Sequence, residues 1–392
     1  MITRTEIEQL AAYQHSAAPL VSFYMDLDKG RLDGMQWSTR LKNLLADLEA
    51  GRSAWPDAAW ESVTADAERI RAFVRDQRVV GGRGVAIFAS SAANFWQTYA
   101  FPNRVGNYAR VNHSAYVRPL VRMLDRYKPQ CVVLVSGDQG RVFFLQGDTG
   151  ETIEERGDLL SDVPRRHGQG GWSQANLQRR RSDLVHQHLK ETADMTFTIF
   201  QQTPFEHLLV GGTEPVVNEF QSCLHPYLRD RLVATFSAPI SASPKTVQER
   251  TRPILRALDT QQQIGLVERV EAEVRQRDMG VAGLVDTLVA LRQGQVLTLI
   301  LNEDFAAPGQ RCLDCGAITT DVEAAACEEC GGRLAPVADI VSDVVEQALE
   351  QDAEVRVIAA PAAMPRLQAL GSVGALLRFA VRPTPAMAEA VP

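Results

Sequence analysis

Residues 131–146 read CVVLVSGDQGRVFFLQ, and this stretch predicts the core of the fold. The apolar run at 131–136 indicates a buried strand, and the turn sequence at 137–140 leads into a second strand at 141–146. Residues 151–156 can supply a third antiparallel strand. The sequence therefore predicts an antiparallel hairpin extended to three strands.

The chain then changes to helical periodicity. An uninterrupted helical pattern runs over 174–201, and a short strand at 208–210 leads into a helix over 214–223. We interpret Gly211 and Gly212, between that strand and helix, as a sharp strand-to-helix turn. Together these elements predict an α/β domain, with a mixed sheet of ribonuclease-H-like type and helices on its faces.

Length and pattern both predict more than one domain. A chain of 392 residues exceeds the roughly 100–200 residues of an ordinary domain. The pattern changes near 122 and 240, which predicts an N-terminal α/β domain at 1–122, a middle domain at 123–240 and a C-terminal α/β domain at 241–392. The last begins with a long helix over 245–278, whose mixed charges favour a solvated bridging helix.

Composition limits the classes of function. With 45% hydrophobic and 23% charged residues the chain is typical of a globular protein. The net charge of −7 argues against a surface that grips nucleic acid everywhere. Apolar runs are strand-sized and the N-terminus has no secretory pattern, so we expect a cytoplasmic protein without a membrane partner.

Four of the six cysteines form two CxxC pairs. Cys312 and Cys315 make the first pair, and Cys327 and Cys330 make the second after eleven intervening residues. Four thiolates at this spacing suit tetrahedral Zn²⁺, and a closed shell of four protein ligands is typical of a structural site. The pattern predicts a zinc ribbon at 308–335; a redox dithiol is the alternative.

A basic, glycine-rich segment precedes the long helix. Residues 164–174 read PRRHGQGGWSQ, and from 164 to 181 there are five arginines and no acidic residue. Arginines at the start of a helix can hold phosphates, and three glycines let backbone N–H groups approach a ligand closely. The alternative is a surface loop whose charges only interact with solvent.

This segment resembles the Gly-Gly-Gln loop of the class I peptide chain release factors of eukaryotes and archaea. In that family a basic His-Gly-x-Gly-Gly sequence precedes Gln-Ser and an arginine-bearing helix, and the following residues match it: His167, Gly168, Gly170, Gly171 and Ser173. The resemblance covers roughly residue 120 to the C-terminus. In particular the chain is similar to the bacterial branch of release-factor-like proteins and to relatives that cleave peptidyl-tRNA in ribosome-associated quality control.

The resemblance implies hydrolysis of the ester between a nascent peptide and tRNA. Trp172 stands where the family has its catalytic glutamine, so Gln174 takes that role if Trp172 is an inserted residue; Gln169 is the other candidate. The implied catalytic residues are Gly170, Gly171, Ser173 and Gln174. The implied RNA-binding residues are Arg165, Arg166, His167, Trp172, Arg179, Arg180 and Arg181.

The resemblance also implies partners and leaves two alternatives. The N-terminal block lacks the Asn-Ile-Lys-Ser and Tyr-x-Cys-x-x-x-Phe motifs that read stop codons, which favours a factor acting on stalled or split ribosomes. The implied partners are the ribosome, tRNA and a translational GTPase, and no DNA. A non-catalytic ribosome binder like Pelota is one alternative. A metal-dependent nuclease is the other, with candidate carboxylates at Asp138, Asp148 and Glu151.

Overall fold

The computed structural model describes residues 2–13, 18–27, 34–49, 52, 55–75, 83–101, 105–126, 129–146, 152–163, 174–337 and 339–379. It confirms a mixed α/β protein. The chain divides into two compact units, of which unit 1 contains 1–125 and 260–392 and unit 2 contains 126–259. The proposed division into three domains, with breaks near 122 and 240, stays a prediction.

The first part of unit 1 is a four-stranded antiparallel sheet covered by helices. Its elements are α1 (Arg4–Ala11), β1 (Leu20–Asp26), α2 (Gly34–Asp47), α3 (Asp57–Arg75), β2 (Gly84–Ser90), β3 (Phe95–Phe101), β4 (Tyr108–Asn112) and α4 (Arg118–Arg126). The strand order is β3-β2-β1-β4. All of β2 and nearly all of β1 are buried, because both faces of these central strands are covered by apolar side chains.

Unit 2 is built on a five-stranded sheet. Its elements are β5 (Gln130–Val135), β6 (Gln139–Gln146), β7 (Thr152–Leu160), α5 (Gln174–Gln202), β8 (His207–Gly212), α6 (Glu214–Cys223), α7 (Pro226–Arg229), β9 (Leu232–Phe236) and the start of α8 (Pro244–Gln276). The order is β7-β6-β5-β8-β9, with β5, β6 and β7 antiparallel and β8 and β9 parallel to β5. An antiparallel meander followed by two parallel strands is the predicted ribonuclease-H-like arrangement.

Glycine is required at positions 211 and 212 for a different reason from the predicted one. Gly211 and Gly212 are the last residues of β8 and are buried, and neither has a positive φ. A Cβ on Gly211 would lie 2.5 Å from a Leu134 methyl group, and one on Gly212 would lie 2.5 Å from the Val135 carbonyl oxygen. Close approach between β5 and β8, rather than a sharp turn, therefore requires glycine here.

The remaining part of unit 1 contains two further sheets. Its elements are the end of α8, β10 (Gly280–Ala282), α9 (Leu284–Arg292), β11 (Val296–Asn302), β12 (Gly309–Cys312), β13 (Ile318–Thr319), β14 (Leu334–Val337), α10 (Val341–Glu350), β15 (Glu354–Ile358), α11 (Met364–Ala369) and β16 (Val373–Leu377). The larger sheet has the order β10-β16-β11-β15, and a small sheet has the order β13-β12-β14.

Helix α8 runs from unit 2 into unit 1, as the predicted bridging helix requires, and many of its side chains are exposed, but some of its apolar residues are buried. Val247 is fully buried in the core of unit 2, and Val267 and Val270 are fully buried in the core of unit 1. The helix therefore contributes to both hydrophobic cores. In the described part of the chain, no helix is long and apolar enough to cross a membrane.

Candidate functional site

The four cysteines of the two CxxC pairs come together at the small sheet. Cys312 ends β12, whose residues pair with β13 on one side and with β14 on the other. The second pair lies in the segment between β13 and β14. Cys312 and Cys327 are buried, whereas Cys315 and Cys330 are exposed.

Each pair is held by a tight turn with the same geometry. The Gly316 N–H donates to the Cys312 carbonyl oxygen at 3.0 Å, and the Gly331 N–H donates to that of Cys327 at 2.8 Å. Both glycines have a left-handed backbone, with φ of +75° and +71°. Glycine adopts this conformation without steric cost, which explains why a glycine follows the second cysteine of each pair.

The four sulfur atoms lie at distances suited to one ion. The Sγ atoms all lie within 4.8 Å of one another, with Cys312 and Cys330 at 3.5 Å and Cys315 and Cys327 at 3.6 Å. A tetrahedron with metal–sulfur bonds of about 2.3 Å has sulfur–sulfur edges of about 3.8 Å. The cluster therefore has the composition and spacing to hold a metal ion.

The pKa values of the thiols also suit a cluster that holds a metal ion. The backbone N–H of Cys315 is the main cause that lowers the pKa of the Cys312 thiol to about 7. The Cys330 thiol has its pKa raised to about 12, mainly by its hydrogen bond with Cys315. Four adjacent sulfurs cannot all be ionised without a compensating charge, and a bound cation supplies that charge.

The ribbon is attached to unit 1 by polar contacts on several sides. Arg292 of α9 lies 3.6 Å from a carboxylate oxygen of Glu329, and Gln347 of α10 donates to the Gly316 carbonyl oxygen at 3.5 Å. The Arg333 N–H donates to Asp314 at 3.0 Å within the ribbon. These contacts fix the turns that present the cysteines.

Sequence patterns did not predict a buried charge cluster beside the ribbon. Arg311 precedes Cys312, and its guanidinium lies 2.6 Å from an Asp343 oxygen and 3.7 Å from a Glu346 oxygen. Both acids lie on α10 and are 1% exposed. Asp343 and Glu346 are three residues apart, so they share one face of the helix, and an acidic pair on the apolar face is the signal that could have revealed them.

The predicted loop lies largely outside the described residues. This holds for Arg165, Arg166, His167, Gly170, Gly171, Trp172 and Ser173, and also for the alternative Gln169. Gln174 is described by its backbone only and is the first residue of α5. The segment is joined to β7 at its start and to α5 at its end, as the predicted order of elements requires.

The arginines of α5 lie in the second turn of the helix. Arg179 and Arg180 are exposed, and Arg181 is half-buried. Successive residues point about 100° apart around a helix, so the three guanidinium groups spread over more than half of the circumference. At least two of these side chains are therefore accessible to an anionic ligand.

Four other residues that could carry chemistry have surroundings that explain them structurally. Cys131 is fully buried in β5, and burial raises the pKa of its thiol far above the usual range, which indicates a packing role. His186 is exposed and His188 is buried, so the two side chains point to different faces of α5. Asp138 lies in the β5–β6 turn and accepts a hydrogen bond from Ser136, whereas Asp148 and Glu151 lie outside the described residues.

Known proteins share this chain's sequence over most of its length. Residues 116–256 match a family described as bacterial archaeo-eukaryotic release factor family 10. Peptide chain release factor subunit 1 of Archaeoglobus fulgidus is 23% identical over 400 residues, covering 96% of each chain. The protein of the same name from Thermococcus sibiricus is also 23% identical, covering 96% of this chain and 97% of the relative.

Solved structures of two kinds are also similar to this chain. The archaeal translation termination factor aRF1 has a TM-score of 0.26 and 16% identity, covering 96% of this chain and 99% of the other. S. cerevisiae Dom34, described as a translation termination-like factor, has a TM-score of 0.40 and 8% identity, covering 78% and 81%. Both TM-scores are below 0.5, so the similarity to known proteins rests on the sequence matches and not on these structures. They confirm the predicted resemblance: residues 116–256 match a bacterial archaeo-eukaryotic release factor family, and nearly the whole chain is similar to archaeal peptide chain release factor subunit 1.

Proposed function

We propose that this protein hydrolyses the ester of peptidyl-tRNA on stalled or split ribosomes, without reading a codon. One observation carries the proposal: the basic glycine-rich segment 164–174 lies inside the region 116–256 that matches a release factor family. Relatives over nearly the full chain bear the name peptide chain release factor subunit 1. The site of action would be the cytoplasm, with the ribosome and peptidyl-tRNA as partners.

The proposed mechanism is catalysis by positioning. The glycines at 170 and 171 would let backbone N–H groups reach the ester, and the amide of Gln174 would orient a water molecule. Arg179 and Arg180, which are exposed on α5, would bind RNA phosphates together with Arg165 and Arg166. No acid–base pair of the protein is required, because the ribosome and tRNA would supply much of the site.

A non-catalytic, Pelota-like role in ribosome rescue is the second candidate. It is favoured by one specific observation, which is that Trp172 replaces the glutamine of the family loop. In that case the loop would dock on RNA, with Trp172 stacking on a base, and would not cleave the ester. A translational GTPase partner would fit either function.

We also propose that the four cysteines bind one structural Zn²⁺. The sulfur–sulfur distances and the two matching turns support tetrahedral coordination by protein ligands alone. Such a shell leaves no position for substrate, so the ion would stabilise the ribbon and take no part in hydrolysis.

The test is peptide release from ribosome-bound and free peptidyl-tRNA. We expect Gly171→Ala and Gln174→Ala to lower the release rate at least tenfold. Gly265→Ala is the matched control for the first, because a Cβ at Gly265 in α8 meets nothing within 4 Å. Gln178→Ala, at an exposed position on α5, is the control for the second.

The outcomes separate the two candidates. Release by wild type that Gly171→Ala abolishes supports hydrolysis, and a loss with Gln169→Ala instead of Gln174→Ala would reassign the glutamine. No release by wild type, or equal release by all variants, would refute the hydrolase. Retained ribosome binding by an inactive wild type would then favour the Pelota-like role.

A further inference from the structure

Helix α5 carries a row of buried polar side chains on its inner face. His188, Thr192 and Thr196 are at most 1% exposed and are spaced four residues apart. The Thr192 and Thr196 hydroxyls donate to carbonyl oxygens of their own helix, at His188 and Thr192 respectively. His188 therefore differs from the threonines, because its side chain must find a partner outside the helix.

That partner is the residue that follows β7. Ser161 Oγ lies 2.7 Å from His188 Nδ1, a short hydrogen bond between two groups distant in sequence. The Ser161 N–H also donates to the Asp138 carbonyl oxygen of the β5–β6 turn at 2.8 Å. Ser161 thus joins three parts of unit 2: the end of β7, the β5–β6 turn and the middle of α5.

The pair does not have the arrangement of a hydrolytic dyad. Within the described part of the chain, the second ring nitrogen of His188, Nε2, is buried and has no hydrogen-bond partner. A catalytic histidine needs a group that orients its second nitrogen and needs access to substrate. If position 188 only filled space, an aliphatic side chain would serve better, because it would leave no buried polar atom unpaired. The hydrogen bond to Ser161 is therefore the reason for a histidine at this position.

The bond lies where α5 enters the core. His188 is the first buried residue among the described side chains of this helix. Gln174 begins the helix fourteen residues earlier, and at 1.5 Å per residue the intervening helix is about 21 Å long. A rotation of only 5° about His188 would move the start of the helix by about 2 Å.

We propose that Ser161 and His188 are positioning residues that set the direction of the N-terminal half of α5. The inference rests on the proposed function, because this half of the helix leads directly from the segment that would act on the ester. Misplacing reacting groups by about 1 Å can cost a hundredfold in rate. The Ser161–His188 bond would therefore affect the rate of hydrolysis without contacting substrate.

The first measurement is independent of activity. Hydrogen exchange of backbone amides at 176–187 should become at least tenfold faster in Ser161→Ala and His188→Phe. Ser161→Thr keeps the hydroxyl and should restore wild-type exchange. Thr196→Val is the control, because it removes a hydroxyl of the same buried row whose hydrogen bond lies within the helix. Unchanged exchange in Ser161→Ala and His188→Phe would overturn the proposal.

The second measurement is peptide release, with kcat and KM determined separately. We expect Ser161→Ala to lower kcat by tenfold or more while KM changes less than twofold, and Ser161→Thr to recover most of kcat. An unchanged kcat in Ser161→Ala, with active wild type, would overturn the positioning role. If wild type releases no peptide, the proposed hydrolysis fails, and the exchange data alone decide whether the pair orients α5.

Discussion

The substitution Glu346→Gln tests the buried charge cluster beside the ribbon. Glu346 and Asp343 are both 1% exposed and face the single guanidinium of Arg311. Burial is the main cause that raises the pKa of Glu346 from 4.5 to about 8, and the neighbouring Asp343 charge adds to it. Two buried carboxylates against one arginine leave Glu346 protonated at neutral pH.

The sign of the effect follows from proton binding. The native state binds a proton at Glu346 more tightly than the unfolded state, so stability falls as the pH rises from about 4.5 to about 8. A tenfold change in proton affinity corresponds to about 1.4 kcal/mol, so the whole loss is on the order of 5 kcal/mol, of which roughly 3 kcal/mol falls between pH 5 and pH 8. Glutamine does not titrate and keeps the shape of the side chain, so the variant should avoid this loss.

The assay is urea unfolding followed by tryptophan fluorescence at pH 5, 6.5 and 8, with zinc present throughout. Four of the five tryptophans lie in residues 1–125, so the signal reports mainly on unit 1. The free energy of unfolding of E346Q minus that of wild type should rise by about 3 kcal/mol from pH 5 to pH 8. Glu61→Gln, at an exposed position of α3, should follow wild type. A difference that stays constant with pH would refute this account of the cluster.

Three further substitutions test other parts of the structure. Cys315→Ser should lower bound zinc, measured by mass spectrometry of the metal, from about one ion per chain to nearly none, whereas Cys223→Ser should leave it unchanged. Gly140→Ala should cost about 1–3 kcal/mol in urea unfolding, because its Cβ would lie 2.4 Å from Thr192, and adding Thr192→Ala should recover part of the loss. Arg118→Met should destabilise unit 1 by about 3 kcal/mol in the same assay, because the 4% exposed arginine donates to two carbonyl oxygens and pairs with a carboxylate.

Patterns that are local in sequence were predicted well. The apolar runs around Cys131 and Phe143 form strands that are buried on both faces. A strand of this kind has a continuous apolar sequence, which is easy to recognise. The clustering of the four cysteines was also predictable locally, since each CxxC turn needs only its own glycine, Gly316 or Gly331, to bring two sulfurs together. For these features the physical cause acts within a few residues.

Features that depend on distant packing were missed. The apolar residues of α8 do not form a single stripe, because Val247 belongs to the core of unit 2 and Val267, twenty residues later, belongs to the core of unit 1. The buried acids Asp343 and Glu346 were missed because charged residues are expected at the surface. Their burial depends on Arg311, more than thirty residues away, and on the proton that Glu346 retains.

The proposed chemistry places unusual weight on the contact between α5 and its sheet. Catalysis by positioning needs a scaffold that keeps the orientation of α5 fixed, because no strong acid or base of the protein compensates for a misplaced loop. Gly140 in β6 lets Thr192 approach within a distance that a Cβ would block, and at Gly157 in β7 a Cβ would lie 3.0 Å from the Met195 sulfur, a tight contact. With the Ser161–His188 bond, these contacts resist both sliding and rotation of the helix. Substitutions in this contact should therefore impair peptide release more than they impair folding, whereas substitutions of the four clustered cysteines should do the reverse.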